Sequence, residues 1–481
     1  MKRSPLIILW VLVPFCGLTG CGVASSAEPR SSTLSSEATS VASASSSSVA
    51  PFTLLYPQQG KMDLVDSDVQ EYWESSLNPE STSANPDHSY ALAASANSRY
   101  CDKPTAYISF KAPAETYSIR LSPHEDFSRS FDVPCFFYNG SYTANLKTLY
   151  PQTTYYAQVF SSKGSSPSGV FSFLTSNSPR FLDSDGDSPR NFRDSGGYST
   201  SSGKRIRYGM LYRGTAFDDL SPASRLVLGK ELGIHSEIDL RNEGEGDFPS
   251  MVNLIDMKEP YYRCTLSLYE SNFGSAVYES GIRSLFSILS SKSNYPLVLH
   301  CTHGADRTGV ALFLIEGLCG VSYADLIRDY EMTSFYSYAQ MRDASWSSGS
   351  IKGFYQGVMA RGDSGDSLMT ATRKYLVSIG VTAEEIQSVR SLLVESTASP
   401  IVNEEYGTIA SLKAPCHVSA QGGTLDHEWV EEGDEVTANY TEVAGKSFSG
   451  WFSSDGKTLL SQDKRYVFTV EKHTAIQAVS I

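Results

Sequence analysis

Cys301 and Arg307 stand six positions apart in the run His300-Cys301-Thr302-His303-Gly304-Ala305-Asp306-Arg307-Thr308-Gly309. Five intervening residues let a loop close around a phosphate, with a sulfur nucleophile at its base and a planar guanidinium folded back over two oxygens. A free thiol ionises near ~8.5, and a helix N-terminus or a cationic neighbour lowers that value, so Cys301 is expected to attack as the thiolate. His300 is expected to fix the loop by hydrogen bonds, and Thr308 to give its hydroxyl to the sulfur or the departing water. Gly304 and Gly309 permit close backbone approach. The expected substrate-binding set is His300, Thr302, His303, Gly304, Ala305 and Thr308, with Arg193, Asp239 and Arg241 joining from outside the loop. Arginine and backbone amides supply the positive charge that a metal would otherwise provide, so no metal or cofactor is expected.

The flanks place this run at a strand-to-helix junction. Pro296-Leu297-Val298-Leu299 has the apolar character of a buried strand, and Val310 to Cys319 continues as an apolar helix. The first turn of such a helix presents unpaired N–H groups and partial positive charge to an anion.

At these residues the loop resembles the signature of cysteine-dependent tyrosine phosphatases. Its Asp-Arg-Thr-Gly ending resembles a secreted bacterial subgroup with tyrosine, dual-specificity and phosphoinositide activity. Asn191-Phe192-Arg193-Asp194-Ser195-Gly196-Gly197-Tyr198, Gly209-Met210-Leu211-Tyr212-Arg213-Gly214 and Ile238-Asp239-Leu240-Arg241 resemble that family's NFRDLGG, LYRS-type and IDLR segments. Asp329-Tyr330 and the stretch from Arg373 to Leu393 resemble its closing helices. The resemblance covers about Pro189 to Ser396 and implies two-step phosphomonoester hydrolysis through a phosphocysteine. Ala305 stands where phosphoinositide-hydrolysing members carry lysine, and His303 where alanine is common. His303 either contacts substrate charge or is an exposed loop residue doing neither.

Many members of the family draw a general acid from a Trp-Pro-Asp loop, a tripeptide absent from this chain. The resemblance implies Asp306 in that role, with Asp239 in reserve. An acid must hold its proton before transfer, which asks for burial or for the phosphate itself to raise its pKa. The other reading of Asp306 is a loop residue that accepts backbone hydrogen bonds. Arg190, Arg193, Lys204, Arg205, Arg207 and Arg213 make a basic run suited to drawing in an anion; of these, Arg193 is expected beside the phosphate, together with Arg241.

The chain has 481 residues, a net charge of -14 and 41% hydrophobic residues, enough for several cores. That charge argues against nucleic acid as a partner. Lys2 and Arg3 precede an apolar stretch from Leu6 to Phe15 that is too short to span a bilayer and ends in Leu18-Thr19-Gly20-Cys21. This resembles a bacterial lipoprotein signal. It implies removal of residues 1–20, lipidation of Cys21 and an extracytoplasmic position on the cell membrane. Residues 21–50 follow as a linker in which Ser dominates from Ser31 onward, a composition that stays extended and flexible.

Residues 51–178 alternate like strands at Ala106-Tyr107-Ile108-Ser109-Phe110 and Tyr155-Tyr156-Ala157-Gln158-Val159, and predict a β-sandwich. Leu149-Tyr150-Pro151-Gln152-Thr153-Thr154-Tyr155 resembles the corner segment of fibronectin type III modules, which implies that Tyr155 bonds upstream backbone. Cys101 and Cys135 leave a disulfide open in this module. Asp183, Asp185 and Asp187 are read as an acidic linker rather than a calcium loop, since serine occupies the sixth position where that loop needs glycine. Arg361-Gly362-Asp363 is read as a surface turn rather than an adhesion motif. Thr382 with Glu385 predicts a capped helix start. Residues 404–481 carry turns at Gly422-Gly423, Gly445-Lys446 and Asp455-Gly456-Lys457, and resemble an internalin-type B repeat through Phe448-Ser449-Gly450-Trp451.

The expected fold is multidomain: an α/β tyrosine-phosphatase-like domain over residues 183–396, flanked by an N-terminal β-sandwich and a small C-terminal β module. The expected activity is that of a protein tyrosine or dual-specificity phosphatase, its partners being a phosphorylated protein or small phosphomonoester, the membrane, and a cell-wall or surface ligand for the β modules. Other readings are an inositol-polyphosphate or phosphoinositide phosphatase and a non-catalytic surface binding protein. Arsenate reduction would need resolving cysteines near Cys301, and none is evident.

Overall fold

The computed structural model describes residues 52–75, 106–182, 189–218, 220–245, 253–256, 258–266, 273–336, 342–344, 351–395, 415–431 and 433–481. Cys21 and the whole signal and linker region, Cys101, and Asp183, Asp185 and Asp187 lie outside these residues.

One five-stranded sheet organises the central domain. Its strands are Arg193–Asp194 (β1), Leu211–Gly214 (β2), Ser236–Asp239 (β3), Tyr261–Arg263 (β4) and Leu297–His300 (β5), in the order β1-β2-β5-β3-β4. The last four run parallel, and β1 pairs antiparallel with β2. Every residue of β2, β3 and β5 is buried, as a parallel sheet covered on both faces requires. The sequence-predicted strand is shifted by one residue, so that His300 closes it. In β5, Leu297 and Leu299 enter one core with Leu285, Phe286 and Leu312, while Val298 enters a second with Phe192, Tyr212 and Ile234.

Helices follow the strands. They are Pro222–Leu226 (α1), Ala276–Leu289 (α2), Asp306–Cys319 (α3), Tyr323–Glu331 (α4), Ile351–Met359 (α5), Leu368–Ser378 (α6) and Ala383–Leu393 (α7). Every residue of α3 from Thr308 to Cys319 is buried, because α4, α5, α6 and α7 pack around it. This is the all-round burial that its apolar sequence predicts. Gly320, at φ 91°, ends the helix in the left-handed conformation. The predicted cap at α7 is present: the Glu385 N–H donates to Thr382 Oγ1 at 3.1 Å, and the Thr382 N–H to Glu385 Oε2 at 2.9 Å.

Before this domain, two sheets enclose a core that contains Ile108, Phe110, Ile119, Leu121, Ala144 and Val159, an arrangement that fits a β-sandwich. The Tyr155 hydroxyl accepts a 3.0 Å hydrogen bond from the Tyr150 N–H, the upstream backbone bond expected of that segment. A helix, Ser67–Glu74, also belongs to this part of the chain. It buries Val69 and Tyr72 against Met332 and Phe335 of the central domain. Residues 415–481 form a five-stranded and a three-stranded sheet around the fully buried Trp451.

Candidate active site

Register sets the level of the site. His300 at the end of β5 lies beside Gly214 at the end of β2 and Asp239 at the end of β3. The loop 301–305 therefore leaves from the carboxyl edge of the parallel strands, where open α/β sheets bind ligands. It turns through Gly304 at φ 63°, where a Cβ would stand 2.2 Å from the Gly214 carbonyl oxygen. Only glycine fits that turn. No side chain caps the N-terminus of α3 at Ala305, so its first-turn N–H groups remain for an anion.

Cys301 sits at the base of the loop, 3% exposed. Arg307, in the first turn of α3, is folded back as its spacing predicts. Its Nη2 donates to Thr302 Oγ1 at 3.0 Å, and its Nη1 pairs with Glu245 Oε2 at 2.9 Å. Glu245 follows β3 by a few residues and aims the guanidinium; no motif in the sequence marks it. His303 is exposed, and Ala305 is buried.

His300 is wholly buried, with its Nε2 3.0 Å from Glu237 Oε1 and its ring stacked on Phe217. Burial pulls its pKa down, but the Asp239 charge and the Glu237 hydrogen bond outweigh that and raise it. His300 thus bonds back into the sheet, to Glu237 of β3.

Four of the expected residues have the following surroundings. Thr308 Oγ1 is buried without a hydrogen-bond partner, and makes no bond to the Cys301 sulfur in this structure. Asp239 is not suited to donate a proton. Although burial pushes its pKa up, the His300 charge and the Arg241 hydrogen bonds hold it well below the usual carboxylate range, and it also accepts from the Tyr261 hydroxyl at 2.9 Å. Arg241 is committed on every nitrogen: Nε to Asp239, Nη1 to Asp218 at 2.6 Å, and Nη2 to both. It builds the wall beneath the loop rather than the phosphate seat.

Arg193 is likewise buried behind the loop. Its Nη2 donates to the Asp329 carbonyl at 2.7 Å, its Nε to the Asp329 carboxylate, and its Nη1 to Asn191 Oδ1. Asn191 Nδ2 in turn donates to the carbonyls of His303 at 3.0 Å and Gly304 at 3.1 Å. Arg213 completes the bracket, pairing with Asp329 and donating to the Gly304 carbonyl at 2.6 Å. Two members of the supposed surface basic run are thus interior struts that hold the loop backbone.

Asp306 is half-buried, and its carboxylate is gripped from two sides. Arg342 Nε and Nη2 donate to Oδ1 and Oδ2 at 2.7 and 2.8 Å, and the Tyr330 hydroxyl donates to Oδ1 at 3.2 Å. It does not serve as an acceptor for loop amides in these contacts. Arg342 and Tyr330 thereby fix the direction of the Asp306 carboxylate.

A strand, a left-handed turn and a buried helix thus bring one cysteine and one arginine to a single loop. The tyrosine phosphatase family model matches residues 185–410. A provisionally named tyrosine-protein phosphatase of Cupriavidus necator is 28% identical over 165 residues, which cover 30% of this chain and 60% of that protein. A tyrosine-protein phosphatase of Nostoc commune is 23% identical over 205 residues, covering 36% of this chain and 69% of that one. The central domain is thus similar to tyrosine phosphatases. A solved structure of the core catalytic domain of a PP-IP phosphatase from S. cerevisiae, in complex with citrate, aligns with 18% identity and a TM-score of 0.21 over 27% of this chain and 74% of that one.

Proposed function

We propose that the chain is a protein tyrosine or dual-specificity phosphatase that works through a phosphocysteine on Cys301. The observation that carries this reading is the convergence of Cys301 and the pre-aimed Arg307 on one loop, between a parallel strand and an uncapped helix N-terminus. The Cys301 thiolate attacks phosphorus; an S–P bond forms as the ester P–O bond breaks, and Asp306 gives its proton to the leaving oxygen. Water then attacks the phosphocysteine, returning its proton to Asp306, and inorganic phosphate departs from a free sulfur. Arg307 and the amides of the loop hold the equatorial oxygens as charge develops. His300, hydrogen-bonded to Glu237 directly before Cys301, anchors the base of the loop to β3. Cys301→Ser should abolish turnover of p-nitrophenyl phosphate while vanadate still binds; retention of a tenth of the rate would refute the cysteine mechanism. A panel of phosphotyrosine peptide, phosphoserine peptide and inositol lipid would separate the substrate classes.

The same proposal places the enzyme outside the cytoplasmic membrane on a lipidated Cys21, as the Leu18-Thr19-Gly20-Cys21 ending suggests, with the β modules as spacers or surface-binding elements. Metabolic labelling with radioactive palmitate should mark the protein and leave Cys21→Ala unmarked. Equal labelling of both would refute the anchor.

A further inference from the structure

The helix Ser67–Glu74 lies outside the family-matched residues, yet it reaches toward the catalytic acid. Its Tyr72 hydroxyl donates a buried 2.6 Å hydrogen bond to Glu331 Oε2 at the end of α4. The other oxygen of Glu331 accepts the Ala344 N–H at 2.8 Å. Two residues earlier, Arg342 is pinned by Ser334, whose hydroxyl receives the Arg342 N–H at 2.9 Å and donates to its carbonyl at 3.1 Å. Ser334 lies next to Phe335, whose ring packs 5.5 Å from that of Tyr72. From this anchored segment the Arg342 guanidinium reaches out to grip Asp306.

We propose that Tyr72 is a positioning residue for the reaction, holding the Arg342 segment through Glu331 and so fixing the Asp306 carboxyl. The relay uses residues at either end of a long stretch of chain, Tyr72 and Glu331 being 259 positions apart. Its physical logic is simple. Glu331 is fully buried, and one of its donors comes from outside the catalytic domain. Without the Tyr72 hydroxyl, Glu331 Oε2 loses that hydrogen bond, and the carboxylate that accepts the Ala344 N–H is less firmly aimed. Arg328 adds a second contact between the same two parts, donating to the Ser75 carbonyl at 2.7 Å with its guanidinium near the Trp73 ring.

The inference rests on Asp306 being the general acid, so the test separates the two ideas. Full-length wild type, Tyr72→Phe and Asp306→Asn are compared on phosphotyrosine peptide, whose poor leaving group needs the proton, and on p-nitrophenyl phosphate, which scarcely does. A displacement of about 1 Å in a catalytic group costs up to about 10²-fold. Tyr72→Phe should therefore lower kcat on the peptide by about tenfold, against less than about twofold on p-nitrophenyl phosphate, with KM unchanged. Equal losses on both substrates, or no loss on either, would overturn the relay. If Asp306→Asn shows the split and Tyr72→Phe does not, the relay is wrong while the acid assignment stands. If Asp306→Asn shows no split, the acid assignment is wrong and the relay falls with it. Glu331→Gln, which keeps the buried shape but not the paired acceptors, is read in the same way should Tyr72→Phe fail to fold.

Discussion

Replacing Asp329 by Asn should cost the central domain a large share of its stability and its activity as well. The Asp329 carboxylate, 4% exposed, is the counter-charge of two guanidiniums that are 1% and 0% exposed, Arg193 and Arg213. Asparagine keeps the volume and one acceptor but leaves two buried cations facing each other. Breaking a buried ion pair from one side costs about 3–5 kcal/mol, against a total of about 5–15 kcal/mol for a domain. Glu316 is the other buried acid in this neighbourhood, and burial together with the Asp329 charge raises its pKa well above the usual range. The expected loss for Asp329→Asn is about 3–5 kcal/mol. Urea unfolding of the full-length protein, followed by phosphatase activity and by fluorescence, measures this. The same change frees Arg213 from its fixed direction toward the Gly304 carbonyl, so kcat at zero urea should fall at least about tenfold as the loop loosens. A loss below about 1 kcal/mol with unchanged kcat would refute the assignment of Arg193 and Arg213 as struts held by Asp329.

Gly304→Ala forces a Cβ to within 2.2 Å of the Gly214 carbonyl at φ 63°; kcat should fall about 10²-fold and the melting temperature should drop as well, and near-normal turnover and melting would show that the loop has room to spare. Both carboxylate oxygens of Glu316 are buried without partners and its pKa is raised, so the folded state keeps a proton that the unfolded chain releases above pH ~4.3. Wild type should lose stability relative to Glu316→Gln as pH rises from 5 to 8, by up to about 1.4 kcal/mol per unit until the folded pKa is passed. Stability curves that stay parallel across this range would mean that Glu316 is ionised in the fold.

The catalytic loop and its flanks were legible because their signals are local. Leu297 to Leu299 read as a buried strand, Val310 to Cys319 as a helix buried all round, and Thr382 with Glu385 as a cap, each within a few residues of sequence. The supporting shell was not legible in the same way. Arginines 193 and 213 look like surface charge in any window, and only partners 136 and 116 positions away turn them into interior struts. Asn191 opens the segment 191–198, but nothing in that segment says that its amide holds the His303 and Gly304 carbonyls. Glu245 and Arg342 sit in polar stretches without periodicity or spacing to mark them. The Ser67–Glu74 helix was hidden in a region whose strand pattern dominated the reading.

Arg180 bears on where the central domain can be cut. It lies just past residues 51–178 and before the family-matched residues; its Nε and Nη2 donate to the carbonyls of Leu149 and Thr148, and its guanidinium lies 3.6 Å from the Tyr150 ring centroid. Its remaining arm pairs at 2.8 Å with Asp194, a fully buried residue of the catalytic sheet. Asp194 also accepts the Gly196 and Gly209 amides, so this carboxylate organises the first turn of the domain while borrowing its counter-ion from a neighbour. A piece cut at the family boundary leaves Asp194 buried without this cation, so chain before residue 185 supplies a buried counter-charge to the sheet that follows it.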